Sequence, residues 1–139
     1  MCISDIDAIH KKSSKTALFY LLISLFCVLF GAIYELFSHG VYSYCMIYAF
    51  VIPLAGGTLP FLAMSMAKKT HYPNAAARVL HHCAMASFTI GSIINGVLEI
   101  YGTTNALVPY YFLAGVILFV SGLTVYIVQI IKKRKLEKF

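Results

Sequence analysis

Charged residues are scarce in this chain of 139 residues, since Asp, Glu, Lys and Arg make up 12% of it while hydrophobic residues make up 60%. An ordinary soluble domain carries about 25% charged residues, so the composition excludes a soluble protein. A helix that crosses a hydrocarbon core of about 30 Å needs roughly 20 apolar residues. Four apolar runs reach that length, at residues 16–37, 43–67, 79–101 and 108–131. We therefore predict an all-α integral membrane protein in which residues 1–139 form one domain of four transmembrane helices.

Motifs of enzymes and of cofactor-binding proteins are missing. The sequence has no Ser-His-Asp order, no phosphate-binding loop and no HExxH motif, so we do not expect an enzyme. The four cysteines form no CxxC pair and are predicted to lie at different depths, which argues against a disulfide or a redox site. We predict no cofactor.

Acidic residues are also few, 5 against 11 basic ones, and every basic residue flanks the same side of the predicted helices. By the positive-inside bias, both termini are predicted to be cytoplasmic in a multi-pass protein of the plasma membrane. The chain then forms two hairpins. The charge is divided among three segments instead of forming one patch, so we expect the lipid bilayer, and not nucleic acid, as the partner of these residues. They are Lys11, Lys12, Lys15, Lys68, Lys69, Arg78, Lys132, Lys133, Arg134, Lys135 and Lys138.

Small and polar residues recur at every fourth position of the third span. On a helix with about 3.6 residues per turn, this spacing places them on one face. A membrane helix with such a face is expected to pack against another helix and not against lipid. The residues are Cys83, Ser87, Gly91, Asn95 and Glu99, with Ser92 and Gly96 beside them.

Glu35 and Glu99 are the only acidic residues predicted to lie near membrane depth, close to the outer ends of the first and third spans. Ionisable residues at such positions are functional candidates. No Lys or Arg is predicted nearby, so two facing carboxylates would share a proton or bind a cation. One hypothesis is a proton- or cation-linked site formed by Glu35 and Glu99 with Asn95 and Ser92. The alternative is that these groups support helix packing or bind a partner.

The second span contains Pro53, Gly56, Gly57 and Pro60. Pro60 has no N–H to donate to the carbonyl of Gly56, so we expect a break in the helix around the two glycines. A carbonyl freed in this way must find a donor inside the protein. The break indicates either a discontinuous helix that lines a cavity, as in transporters, or a kink with close glycine packing.

Histidines cluster with a cysteine around the inner loop and the start of the third span, at His71, His81, His82 and Cys83. These are weak candidates for a metal site, because adjacent residues on a helix point about 100° apart and cannot easily bind one ion. The alternative is that the histidines lie beside anionic lipid headgroups. We predict no metal.

The two halves of the chain share a layout. An offset of 64 residues places Glu35 on Glu99 and the lysine pair at 68–69 on the pair at 132–133. This is compatible with a degenerate repeat whose halves are parallel. The size and four spans are similar to those of small multidrug transporters and fluoride channels, but the motifs of those families are missing.

Four short helices leave little room for a transport pathway within a single chain. We therefore expect a homo-oligomer or an accessory subunit of a larger membrane complex, with a small proton- or cation-linked transporter or channel as the alternative. A membrane redox or metal-binding protein is a distant third.

Overall fold

The computed structural model describes residues 3–66 and 72–136, and this part of the chain contains helices and connecting segments without a β-strand. Four stretches are long and apolar enough to cross a membrane, which confirms the predicted all-helical, multi-pass class. The α-helices are α1 (Ile3–Leu36), α2 (Tyr44–Ile47), α3 (Leu59–Met66), α4 (Ala75–Ile100) and α5 (Val108–Leu136), and a π-helical segment covers Ile52–Thr58.

Two side chains define where helices begin. The Asn74 side chain accepts a hydrogen bond from the backbone N–H of Ala77 at 2.8 Å and so caps α4. Ser43 does the same for α2, since its hydroxyl accepts from the backbone N–H of Met46 at 3.3 Å. The first helix begins at Ile3 and therefore extends well before the apolar run that starts at residue 16, because adding residues to an existing helix costs little.

The second span is the discontinuous one. It consists of α2, the π-helical segment and α3, and it packs against α1 on one side and α4 on the other. In contrast, α5 is uninterrupted, and among the described helices its backbone lies close to that of α4 alone. Only 11% of the most apolar stretch of α5 is buried inside the protein, against 28–33% in the other three spans.

Glycines allow the close contacts between these elements. Met46 is 1% exposed and lies between Gly31 of α1 and Gly96 of α4. A Cβ atom at Gly96 would lie 2.8 Å from the Met46 backbone nitrogen, and one at Gly31 would lie 3.3 Å from the Met46 carbonyl oxygen. Neither position has room for a larger residue without movement of the short helix α2.

The contact between α4 and α5 also depends on glycines. Gly91 of α4 faces Tyr111, whereas Gly115 and Gly122 of α5 face Phe88 and Leu80. The small residues of both helices therefore pack against neighbouring helices of the same chain, as the every-fourth pattern of α4 predicts.

Candidate functional site

The Glu99 cluster comprises Ser43, Cys45, Ser92, Asn95 and Glu99, at the end of the bundle where α4 meets α2. Ser43 donates a hydrogen bond to Glu99 Oε2. Asn95 Nδ2 donates to Glu99 Oε1 at 2.8 Å, and Cys45 Sγ lies 3.7 Å from the same oxygen. The carboxylate therefore accepts hydrogen bonds from three neutral groups.

The other members of the Glu99 cluster bind the start of the second span. Ser92 Oγ donates to the backbone carbonyl of Cys45 at 2.8 Å, and Asn95 Nδ2 lies 3.1 Å from Cys45 Sγ. Ser43 both caps α2 and donates to Glu99. The polar face of α4 thus holds the turn that opens the second span.

Glu35 lies outside this cluster. Its Oε1 atom is buried and has no hydrogen-bond partner among the described residues, and the hydroxyl of Ser38 donates to its backbone carbonyl at 2.8 Å. No described side chain bridges the carboxylates of Glu35 and Glu99. The structure therefore brings together Glu99, Asn95 and Ser92, but does not join Glu35 to them by a hydrogen bond.

The break in the second span is π-helical, and the N–H of Leu59 bonds to the carbonyl of Leu54, five residues earlier. His81 Nε2 lies 2.9 Å from the carbonyl oxygen of Gly56, which in α-helical geometry would accept from a backbone N–H at position 60, a group that proline lacks. A carbonyl can only accept, so Nε2 carries a proton. His81 therefore satisfies a backbone group released by the proline.

Sequence reasoning expected a donor for Gly56 but did not identify His81 as that donor. The missing information was the relative depth of two helices. Gly56 packs against Met85, one helical turn from His81 on α4, and this contact brings the imidazole to the carbonyl.

His82 forms a second link between helices. Its Nδ1 lies 2.6 Å from the hydroxyl of Tyr20, whose ring fills the space beside Gly57. The rings of His81 and His82 lie 5.7 and 5.9 Å from the ring of Phe61, so an aromatic cluster joins α1, α3 and α4. We call Tyr20, Gly56, Phe61, His81 and His82 the His81 cluster.

The metal candidates do not gather in the described part of the chain, where no group of three or more His, Cys, Asp or Glu side chains could hold an ion. The hydrogen bonds of His81 and His82 each occupy one ring nitrogen. Cys83 is exposed, and His71 lies outside the described residues.

Several cavities open along the bundle, and none of the following is lined by either glutamate. One of about 560 Å³ lies between α1 and α4 and is lined by Lys15, Tyr20 and His82 among others. Another of about 460 Å³, at the opposite end, is lined mainly by aromatic and aliphatic residues around Tyr34 and Tyr101. A third, of about 330 Å³, lies between the second span and the α4–α5 pair.

Comparison with protein-family models, curated proteins and solved structures finds no match for this chain.

Proposed function

We propose that this protein is a non-catalytic membrane subunit that acts by assembling, either with copies of itself or with a larger membrane protein. The observation that carries the proposal is the position of α5. Its backbone lies close to that of α4 alone among the described helices, and its apolar flank at Leu113, Val116 and Val120 is exposed along the span. The proposal places both termini in the cytoplasm, on the side that the basic residues favour.

The use of the polar residues supports this proposal. The Glu99 cluster ties α4 to α2, and the His81 cluster ties α4 to α1 and to the π-helical segment. Polar groups that complete helix contacts have a structural role and need no substrate. The glycine faces of α4 and α5 pack within the chain as well, so a partner would have to contact other surfaces.

Glu35 provides a polar contact for such a partner. Its buried Oε1 lacks a donor among the described residues, and a buried acceptor without a partner costs about 1–3 kcal/mol. A rotation of the side chain that brings this oxygen to a donor of a neighbouring chain would remove that cost. We therefore propose that the outer end of α1 belongs to the assembly surface together with α5.

The mass of the intact complex tests the proposal. The protein is extracted in a mild detergent from the membrane in which it naturally resides, and the mass is measured by native mass spectrometry. We expect a defined species heavier than a single chain of 15.4 kDa, made of further copies of this chain or of one copy with a larger protein. Val120→Trp on α5 should dissociate it, whereas Leu22→Trp on the exposed face of α1 should leave it intact. A monomer under all mild conditions would contradict the proposal.

A proton- or cation-linked transporter is the second candidate, and the Glu99 cluster favours it. The Glu99 side chain is exposed and accepts hydrogen bonds from neutral groups alone. None of these donors neutralises the negative charge of the carboxylate. In this reading a proton or cation would bind there. The double variant Glu35→Gln with Glu99→Gln should then abolish pH-dependent flux in proteoliposomes, and unchanged flux would exclude this candidate.

A further inference from the structure

The cavity of about 330 Å³ is lined by polar residues at one end and mainly by apolar residues elsewhere, and we call the end nearest the start of α4 and the end of α5 its mouth. Arg78 and Tyr126 lie at its mouth, near the start of α4 and the end of α5, while Phe119 and Gly56 line its deeper part. Phe119 and Tyr126 are seven residues apart on α5, which corresponds to a depth of about 10 Å. The volume is within the range of about 300–1,000 Å³ typical of ligand sites.

The mouth carries a positive charge without a negative partner. Arg78 Nη1 donates to the hydroxyl of Tyr72 at 3.3 Å, and its guanidinium carbon lies 5.0 Å from the centre of the Tyr72 ring. No carboxylate of the described residues pairs with it. Its Nε is buried and has no hydrogen-bond partner within the described part of the chain. Tyr72 thus holds the guanidinium at Nη1, and because Nε is buried, the terminal N–H groups are the ones that a ligand could reach.

The walls of the cavity are mainly apolar, and several of their side chains are exposed on the outside of the bundle. Leu123 and Phe119 are 47% and 38% exposed, and Pro60 and Ala55 are exposed on the opposite wall. His81 also lines the cavity, but its Nε2 is already bonded to the carbonyl of Gly56. An occupant therefore meets one positive group at the mouth and a hydrocarbon-like slot below it.

We propose that this cavity binds an anionic phospholipid from the leaflet at the basic end of the bundle. A phosphate oxygen would accept a charge-assisted hydrogen bond from Arg78, which suits phosphate through its planar set of donors. One acyl chain would lie between Leu123 and Pro60. The positive end of the α4 dipole would add to the attraction. This inference is independent of the proposed assembly.

Native mass spectrometry of the full chain in detergent tests it, with phosphatidylglycerol and phosphatidylcholine of identical acyl chains as probes. We expect phosphatidylglycerol to remain bound at activation energies that remove phosphatidylcholine. Arg78→Gln should weaken phosphatidylglycerol binding roughly fivefold, while Arg78→Lys should retain most of it. Lys135→Gln is the matched control, because Lys135 lies on the side of α5 opposite Tyr126, and it should have no effect.

A second variant keeps the test valid if Arg78→Gln does not fold. Leu123→Trp fills the apolar slot from an exposed position and leaves Arg78 in place, so it should also reduce phosphatidylglycerol binding. Equal retention of the two lipids would overturn the proposal, as would equal losses in Arg78→Gln and Lys135→Gln. Displacement of the lipid by soluble glycerol phosphate would show that the acyl slot is not used and would overturn it as well.

Discussion

The two polar clusters of this protein lie at different parts of the bundle and meet different needs. In the Glu99 cluster, side chains of α4 bind side chains and backbone of the turn that opens the second span. In the His81 cluster, a side chain of α4 binds a backbone carbonyl in the middle of a helix. The first cluster fixes where a helix begins, and the second compensates for a helix that is interrupted.

The side chains of the two clusters also differ in their exposure to solvent. The Glu99 side chain is exposed, so water can replace a lost hydrogen bond there. The His81 cluster is packed among Tyr20, Phe61 and Met85, which are 4%, 4% and 5% exposed. The hydrogen bond between His81 and Gly56 is partly buried, so water replaces a lost donor there less readily. The same type of substitution should therefore cost more in the His81 cluster than in the Glu99 cluster.

The largest effect is expected from Gly57→Ala. The added methyl group would overlap the ring of Tyr20, which is buried and hydrogen-bonded to His82. Overpacking of this kind costs about 1–3 kcal/mol, and we expect the upper part of that range. Thermal unfolding in detergent, followed by circular dichroism, measures it. Ala55→Leu, at an exposed position of the same π-helical segment, is the control and should leave the midpoint unchanged. Equal midpoints for the two variants would contradict the packing described for Tyr20.

A smaller effect is expected from Glu99→Gln. One carboxylate oxygen is replaced by an NH₂ group, which donates and cannot accept, so the hydrogen bond from either Ser43 or Asn95 is lost. We expect a loss of about 1 kcal/mol in the free energy of unfolding. Glu35→Gln is the matched control. Its Oε1 has no partner in the described chain, so the isolated chain should keep its free energy of unfolding. The complex extracted from the membrane should instead lose its partner chains, which native mass spectrometry detects as a lower mass. Equal costs for both variants in isolated chains would remove the distinction between the two glutamates.

The smallest of these effects is expected from Gln129→Ala. Gln129 Oε1 accepts from the backbone N–H of Asn74 at 2.8 Å, and its Nε2 donates to the carbonyl of Tyr72 at 3.0 Å. These bonds, one exposed and one partly buried, join α5 to the segment before α4. Their loss should cost about 0.5–1 kcal/mol. Thr124→Ala removes a bond within α5 only and should cost less. Chemical unfolding of both variants measures the difference, and a larger cost for Thr124→Ala would contradict this role of Gln129.

The sequence predicts the parts of this fold that depend on local pattern. Apolar runs give the four membrane-length segments, and Pro53, Gly56, Gly57 and Pro60 predict the interruption of the second span. The small residues of α4 predict a helix-packing face. Each of these follows from the chemistry of nearby residues along the chain, so no tertiary information is needed.

The parts that the sequence does not predict are pairings between distant residues. Pro60 indicates that Gly56 needs a donor, but the donor lies on another helix, 25 residues after the carbonyl. The sequence also suggests that Glu35 and Glu99 act together, whereas hydrogen bonds connect Glu99 to Ser43 and leave Glu35 separate. The orientation in the membrane and the duplication of the half-chains stay predictions. The interruption of the second span has no counterpart in α5.

The polar side chains inside the bundle complete the protein's own backbone and helix contacts. A double-mutant cycle between Pro60→Ala and His81→Phe tests this claim. With Pro60 present, His81→Phe leaves the carbonyl of Gly56 without its donor and should cost about 1–3 kcal/mol. With Ala at position 60, a backbone N–H is available for that carbonyl, and the cost of His81→Phe should fall by roughly 0.5–1.5 kcal/mol. Costs that add to within about 0.3–0.5 kcal/mol would contradict the claim, because His81 would then stabilise the protein independently of the proline.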